Sequence, residues 1–171
     1  MQIFVASDHR GFELKGRICA FLARAPFTAS TPVKVADLGP NFYDKNDDYN
    51  DAARAVAKAV LTAKKVGKDD PFGILICGSA IGISIQANRF KGIRAAVVHN
   101  LETAESSRSH NDANVLCLSA DQLTNAQDPL ESEAAYEDLY AIIEKFLTTP
   151  FSDEERHKRR IKRLDEEVNK P

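Results

Sequence analysis

The sequence predicts a three-layer α/β/α sandwich built on a five-stranded parallel, Rossmann-like sheet. Short apolar runs rich in β-branched residues alternate with amphipathic stretches along the chain. Several runs are apolar on both faces, as a strand covered by helices on both sides requires. With 171 residues the chain has the length of one domain and can bury a sizeable core. Together these observations indicate a domain of the α/β class.

Five runs are predicted to be the strands of this sheet. They span residues 2–6, 33–38, 72–77, 93–98 and 114–118. Polar loops are predicted over 40–48, after the second strand, and over 124–128, because both segments are rich in polar residues that favour turns.

Amphipathic patterns predict helices between the strands, over 11–24, 51–64 and 131–147, and a further helical stretch follows His99 and Asn100. The C-terminal segment begins with Ser152, a residue type favoured at helix N-caps, followed by acidic residues and a basic run. Few of its positions are apolar, so we expect either a solvated tail or an arm that lies on a partner. Residues 1–150 are thus expected to form one domain and residues 151–171 a basic C-terminal helix or arm.

Composition limits the classes of partner. The chain has 23 basic and 25 acidic residues and a net charge of -2, which argues against a general nucleic-acid surface. No apolar run approaches the roughly 18 residues of a membrane span, and the N-terminus lacks the pattern of a signal peptide. Cys19, Cys77 and Cys117 are odd in number and widely spaced, so they predict neither a disulfide framework nor a metal site. A cytoplasmic location is expected.

The third predicted strand ends in Cys77 and is followed by a segment of small residues, Gly-Ser-Ala-Ile-Gly-Ile-Ser at 78–84. Ligands of open α/β sheets bind outside the carboxyl ends of the strands, where this thiol would stand. Unhindered backbone N–H groups and the start of a helix would favour an anion there, and such surroundings lower the pKa of a thiol. A lone cysteine is, however, more often a small buried apolar residue, and the sequence leaves both interpretations open.

Two further groups lie at strand or helix ends. Asp8 and His9 follow the first strand, where they either belong to a site or serve as a helix cap and an exposed loop residue. His110, Asn111 and Asp112 end the helical stretch before the fifth strand, where they either carry chemistry or build a tight turn.

Several segments together resemble a known family over nearly the whole chain. The matching pieces include Ser-Asp-His-Arg-Gly-Phe at 7–12, Asp-Tyr at 48–49, Cys-Gly-Ser-Ala-Ile-Gly at 77–82, Gly-Ile-Arg-Ala at 92–95 and His-Asn-Asp-Ala-Asn at 110–114. The chain resembles the type B ribose-5-phosphate isomerases, whose relatives include the galactose-6-phosphate isomerase subunits. The glycine segment and the His-Asn-Asp turn are each distinctive and occur together, so the match is specific.

The resemblance implies a metal-independent aldose–ketose isomerase without a cofactor. It would interconvert ribose 5-phosphate and ribulose 5-phosphate through an enediolate, in pentose phosphate metabolism. Cys77 is implied as the base, and His110 as the acid–base group that opens the sugar ring, a task suited to an imidazole near neutral pH. Asp8 would share in ring opening or hold sugar hydroxyls. Ser79, with the neighbouring backbone N–H groups, would stabilise the enediolate.

The resemblance also assigns substrate-binding residues and an assembly. The implied binding residues are Asp8, His9, Tyr49, Gly78, Ser79, Gly82, Asn111, Arg156 and Arg160. Arg156 and Arg160 would bind phosphate together with His9, since a spacing of four places both guanidinium groups on one helical face. The family's site lies at a dimer interface and takes side chains from both subunits. A homodimer or tetramer is therefore expected, with the C-terminal helix at the interface and no nucleic-acid or membrane partner.

Asp121 departs from the family pattern. Such isomerases usually carry a phosphate-binding arginine shortly after the fifth strand, where this chain has an aspartate. Either the loop turns Asp121 away, another basic residue compensates for it, or the natural substrate is a different sugar or sugar phosphate.

Two other classes of function stay open on the residues alone. One is a phosphate- or nucleotide-binding regulatory module that uses the 78–84 loop, although the loop has neither a P-loop nor a G-x-G-x-x-G pattern. The other is a cysteine hydrolase that uses Cys77 and His110.

Overall fold

The structure, a computed structural model, describes residues 1–24, 33–67, 71–123, 129–164 and 166; for residues 123 and 129–135 only the backbone is considered. Its centre is a five-stranded parallel sheet in the order β2-β1-β3-β5-β4. The strands are β1 (Gln2–Ser7), β2 (Lys34–Asp37), β3 (Pro71–Cys77), β4 (Ala95–Val97) and β5 (Val115–Ser119). The predicted sheet is confirmed, with β2 and β4 shorter than expected. The loop predicted over 124–128 lies outside the described residues.

The described helices cover both faces of the sheet. They are α1 (Phe12–Arg24), α2 (Tyr49–Lys65), α3 (Ile81–Ala87), α4 (Leu101–Asn111), α5 (Ala120–Leu123), α6 (Pro129–Thr148) and α7 (Glu155–Leu164). A 3-10 turn, His9–Gly11, precedes α1. The single turn of α5 was not predicted, because four residues are too few to show a helical period. In the described part of the chain, no helix combines the length and the apolar character needed to cross a membrane.

Alternating side chains of the strands feed two buried clusters, one on each face of the sheet. Ile3 and Val5 pack with α1, α4 and α6, whereas Phe4 and Ala6 pack with α2 and α3. Gly73 brings α2 close to the sheet, because a Cβ at this position would lie 2.5 Å from Val56 Cγ1. These two clusters confirm the predicted three-layer α/β/α architecture.

The strand register brings the ends of three strands together at one edge of the sheet. Ser7 lies beside Ile76, and Cys77 lies beside Ser119. The loops that follow β1, β3 and β5 therefore start at the same edge, which we call the carboxyl edge. An ion pair between a buried lysine and an exposed aspartate supports this edge: Lys15 Nζ lies 2.6 Å from both carboxylate oxygens of Asp37 and donates to the carbonyl of Pro40 at 2.9 Å.

Candidate active site

Cys77 ends β3 at the carboxyl edge with only 4% of its surface exposed. Backbone N–H groups of Ile83, Ala80 and Ser79 face its sulfur and favour the thiolate. Burial outweighs these donors, and the charge of Asp8 adds to its effect, so the pKa of the Cys77 thiol is raised above its ordinary value. The N–H groups at the helix start thus lower the pKa of the thiol, as the sequence indicates, but burial determines the net direction.

The loop after Cys77 is held in place from β5 and α5. The carbonyl of Gly78 accepts a hydrogen bond from Ser119 Oγ at 2.7 Å and another from the Asp121 N–H at 3.0 Å. Ala80 adopts a left-handed conformation with φ of 64°, which turns the chain into α3. Ser79 is exposed, and its Oγ accepts from the Ile81 N–H at 3.3 Å. The loop thus presents a set of preorganised N–H groups beside the thiol.

Tyr49, the first residue of α2, lies against the same loop. A Cβ built on Gly82 would come within 2.6 Å of Tyr49 Cζ, so the phenol ring occupies the space that glycine leaves free. Tyr49 is 37% exposed beside the loop. We call the space outside the carboxyl edge, where ligands of such sheets bind, the cleft. The structure brings this predicted pair together although 33 positions separate Tyr49 from Gly82.

Asp8 is buried beside the same edge and has a structural task. Its Oδ1 accepts from the Arg10 N–H at 3.0 Å and from the Gly11 N–H at 3.2 Å, so it caps the 3-10 turn. Burial raises the pKa of the Asp8 carboxyl, while these N–H groups and His9 oppose the rise. The capping role that the sequence left open is thus realised, and it fixes the carboxyl group next to Cys77.

His9 is oriented by a carboxylate that the sequence did not single out. Its Nδ1 lies 2.7 Å from Asp47 Oδ1, and its backbone N–H donates to the same oxygen at 3.0 Å. The ring of Tyr43 meets the imidazole edge-on, with a centroid separation of 6.2 Å. The Asp-rich composition of the 40–48 loop could have indicated a partner for His9, but not which aspartate.

Asp121 is paired with Arg10. Arg10 donates from Nε to Asp121 Oδ1 at 3.0 Å and from Nη2 to the same oxygen. Asp121 thus has a basic partner, and whether Arg10 compensates for the arginine that the family carries there stays a prediction. Arg10 belongs to the matched 7–12 segment, but no sequence pattern indicates its partner, which lies 111 positions away.

His110 and Asn111 lie at the opposite edge of the sheet. The helix that carries them, α4, starts after β4 at the carboxyl edge and runs back to the beginning of β5. The carbonyl of Asn111 accepts from Arg94 Nε at 3.0 Å, and Arg94 directly precedes β4. Asp112 then turns the chain with φ of 45° and forms ion pairs with Arg94 and Arg108.

The two edges are far apart within one chain. The Gly73 N–H donates to the carbonyl of Asn114 at 2.9 Å, so the end of the His-Asn-Asp turn lies beside the early part of β3. Cys77 follows Gly73 by four residues, or about 13 Å of strand. One chain therefore keeps Cys77 and His110 in separate groups, which we call the thiol group and the imidazole group.

Helix α7 packs next to the imidazole group. The ring of His157 is buried with its centroid 4.6 Å from that of His110, and its Nδ1 lies 2.7 Å from Ser152 Oγ. The Ser152 N–H donates to the carbonyl of Ser109 at 3.0 Å. Ser152 thus docks the segment, whereas the helix itself begins at Glu155.

Arg156 and Arg160 are exposed on α7, and their charges both act on His157. Arg156 Nε also donates to Glu154 Oε2 at 2.7 Å. The implied site residues thus fall into two sets. The thiol group comprises Asp8, His9, Tyr49, Cys77, Gly78, Ser79 and Gly82, and the imidazole group comprises His110, Asn111, Arg156 and Arg160.

Known proteins resemble this chain over nearly its whole length. A model of the ribose/galactose isomerase family matches residues 3–164. The probable ribose-5-phosphate isomerase B of Mycoplasma genitalium is 40% identical over 162 residues, which cover 95% of the chain and 92% of that protein. Ribose-5-phosphate isomerase B of Mycolicibacterium paratuberculosis is 36% identical over 166 residues, which cover 97% of the chain and 91% of that protein.

Solved structures share the fold. The crystal structure of ribose-5-phosphate isomerase B from Mycoplasma genitalium with bound ribulose-5-phosphate has a TM-score of 0.76 and 39% identity, and the match covers 96% of the chain and 93% of that chain. Ribose 5-phosphate isomerase from Thermotoga maritima also has a TM-score of 0.76, with 37% identity and coverage of 97% and 98%.

Proposed function

The chain belongs to the ribose/galactose isomerase family, and we propose that it interconverts ribose 5-phosphate and ribulose 5-phosphate through an enediolate, in pentose phosphate metabolism. The observation that carries this proposal is the thiol of Cys77 beneath the N–H groups of Ser79, Ala80 and Ile83 at the carboxyl edge. The relative from Mycoplasma genitalium, whose crystal structure holds ribulose-5-phosphate, supports the substrate. The regulatory-module and hydrolase interpretations have no comparable support.

The residues of the thiol group can perform the central step. The thiolate of Cys77 removes the proton from the carbon beside the carbonyl and later returns it to the former carbonyl carbon, while the proton of the adjacent hydroxyl moves to the former carbonyl oxygen. Charge then develops on the enediolate oxygens, and the preorganised N–H groups of the 78–84 loop stabilise it. Asp8 and Tyr49 border the same cleft, where they orient the sugar hydroxyls.

Ring opening requires the imidazole group. His110 exchanges a proton with the ring oxygen, and Asn111 orients the sugar. Arg156 and Arg160 add guanidinium groups, which suit a phosphate dianion. Because these residues lie at the edge of the sheet opposite to Cys77, we propose that a complete site takes the imidazole group from a second copy of the chain.

We therefore propose a homodimer with shared sites, or a tetramer built from such dimers, with α7 at the interface. Exposed apolar side chains support this assembly: Ile81, within the 78–84 loop, and Ile85, which directly follows it, are 58% and 60% exposed. A groove of about 400 Å³ lies at the imidazole group, where Asn111, Arg94 and Leu164 are among the residues that line it. A reducing compartment such as the cytoplasm suits a base that must stay a free thiol.

The test is exchange of solvent deuterium into the sugar carbon beside the carbonyl. We expect wild type to catalyse exchange in ribose 5-phosphate and Cys77→Ala to lose it, since the base is gone. Cys19→Ala is the matched control, because Cys19 is a half-buried thiol of α1, and its exchange should equal that of wild type. Absence of exchange with a broad panel of aldoses and sugar phosphates would contradict the isomerase function.

A further inference from the structure

We propose that Arg10, oriented by Asp121, binds the phosphate group of the substrate in this chain. The inference rests on the proposed function and adds a residue that determines specificity for the phosphate. Arg10 would supply from the first loop the guanidinium group that the chain lacks after β5, where Asp121 stands instead.

The position of Arg10 in the fold supports a role in binding the substrate. Arg10 follows Asp8 and His9 directly, so all three leave β1 at the carboxyl edge. Its side chain crosses the first residue of the 78–84 loop, since a Cβ on Gly78 would lie 2.9 Å from both Arg10 Cδ and Arg10 Nε. The Arg10 side chain therefore lies against Gly78, the residue that follows Cys77, and its guanidinium group is close to the thiol group.

The N–H groups of Arg10 that do not bind Asp121 also support this role. A guanidinium group has five N–H donors in a planar fork. Among the residues that the structure describes, Arg10 binds Asp121 with Nε and one N–H of Nη2, which leaves three of its N–H groups without a hydrogen bond there. The side chain is 55% exposed, so these donors are accessible to an anion in the cleft. Planar guanidinium donors match the oxygens of a phosphate better than a lysine ammonium does.

Asp121 acts through Arg10 as a positioning residue. Its backbone N–H binds the carbonyl of Gly78 at 3.0 Å, so the carboxylate that holds Arg10 is tied to the same loop. A free arginine side chain loses considerable rotamer entropy when it binds a ligand, and the ion pair reduces that loss. Without Arg10, however, the carboxylate of Asp121 would repel the phosphate.

The experiment combines single and double variants at these two positions. We expect Arg10→Ala to raise the KM for ribose 5-phosphate about tenfold with little change in kcat, and Arg10→Lys to raise it about threefold, since lysine keeps the charge but not the fork. Asp121→Ala in wild type should raise KM about threefold, because Arg10 loses its orientation. In the Arg10→Ala background the same change should lower KM, because it removes a lone carboxylate.

A matched control and a second sugar separate this role from general damage. Arg54 forms an exposed ion pair with Asp51 on α2, so Arg54→Ala removes a comparable pair and should leave KM unchanged. Deuterium exchange into free ribose should be equal in wild type and Arg10→Ala, because ribose has no phosphate. The inference is overturned if Arg10→Ala keeps the wild-type KM, or if it slows exchange into free ribose as much as exchange into ribose 5-phosphate.

Binding of inorganic phosphate, measured by calorimetry, separates this inference from the proposed function. We expect Arg10→Ala to bind phosphate about tenfold more weakly than wild type. Equal binding by the two proteins overturns the inference even when ribose 5-phosphate is a substrate. Weaker binding in the variant, together with no turnover of ribose 5-phosphate by wild type, would support the role of Arg10 and contradict the proposed substrate.

Discussion

The surroundings of Cys77 act on its charge in opposite directions. Three backbone N–H groups favour the thiolate, but burial and the carboxylate of Asp8 favour the thiol, and the net result is a raised pKa. The resting thiol is therefore mostly protonated at neutral pH. The N–H groups remain useful, because they stabilise negative charge in the cleft when the proton is transferred.

A raised pKa predicts a rising pH profile. We expect kcat/KM to increase up to about tenfold per pH unit from pH 7 to about 8.5, because the thiolate fraction of a thiol grows in this range. Asp8→Asn keeps an acceptor for the capped turn but removes the charge, so the inflection should move to lower pH even if the rate falls. A profile that is flat between pH 6.5 and 8.5 would show that a buried thiol is not the base.

A second prediction at the scale of one residue concerns the contact between Gly82 and the ring of Tyr49. Gly82→Ala would place a Cβ 2.6 Å from Tyr49 Cζ, so the ring must move out of its place. We expect kcat/KM to fall about tenfold, or roughly 1.4 kcal/mol of transition-state stabilisation. Because the loss arises through Tyr49, the double variant Gly82→Ala/Tyr49→Ala should be no less active than Tyr49→Ala alone.

The control for this change is Gly16→Ala in α1, where a Cβ meets nothing within 4 Å. We expect unchanged activity and a gain of about 0.5 to 1 kcal/mol in the free energy of unfolding, measured with urea, because alanine favours a helix over glycine. If Gly16→Ala lost as much activity as Gly82→Ala, the loss in Gly82→Ala could not be assigned to displacement of the Tyr49 ring.

The difference between Cys77 and Arg10 illustrates what a sequence reveals about single residues. Cys77 is predictable because a strand pattern, a glycine loop and a family resemblance converge on it. The Arg10–Asp121 ion pair is not predictable from the sequence, because 111 positions separate the two residues and no sequence motif contains both of them. The direction of the thiol pKa also required the structure, since burial competes there with hydrogen bonds.

At the scale of elements, α7 shows how a polar helix docks without an apolar face. The sequence predicted a helix with few apolar positions and left open whether it is solvated. In the structure one imidazole, that of His157, is buried against His110 and bound to Ser152. Strands and long helices were predictable from their periods, whereas α5 and this docking contact were not, since each depends on a few residues.

His157 makes the docking of α7 sensitive to acid. Burial lowers the pKa of His157, the charges of Arg156 and Arg160 and the neighbouring His110 act in the same direction, and Glu154 opposes them. A base with a lowered folded pKa contributes stability above its unfolded pKa, about 6.5, and loses it as the pH falls. We expect the hydrogen-exchange protection of α7, corrected for intrinsic rates, to fall at least about threefold from pH 7.5 to 5.5.

His157→Gln is the matched variant for this measurement, because glutamine keeps a polar contact for Ser152 but does not titrate. Its protection of α7 should be the same at both pH values. Protection in wild type that does not change with pH would contradict the role of the imidazole, and so would an equal pH dependence in His157→Gln.

At the scale of the whole molecule, the topology places the thiol group and the imidazole group at opposite edges of the sheet. A parallel strand delivers Cys77 to the carboxyl edge, and the helix that returns from that edge carries His110 to the other one. The sequence predicts a parallel sheet but not its strand order, and this separation follows only from the register of β3 and β5. A second copy in a symmetric dimer can bring the two groups together.

Mixing two inactive variants tests this arrangement. Cys77→Ala and His110→Ala should each be inactive, and after subunit exchange half of the dimers contain one copy of each variant. Such a mixed dimer has one site that carries both changes and one site that is intact, so activity should recover to about one quarter of wild type. Sedimentation of wild type should show no active monomer. If mass spectrometry confirms mixed dimers but they stay inactive, each site is built within one chain. In that case Cys77 and His110 could not act on the same substrate in this fold.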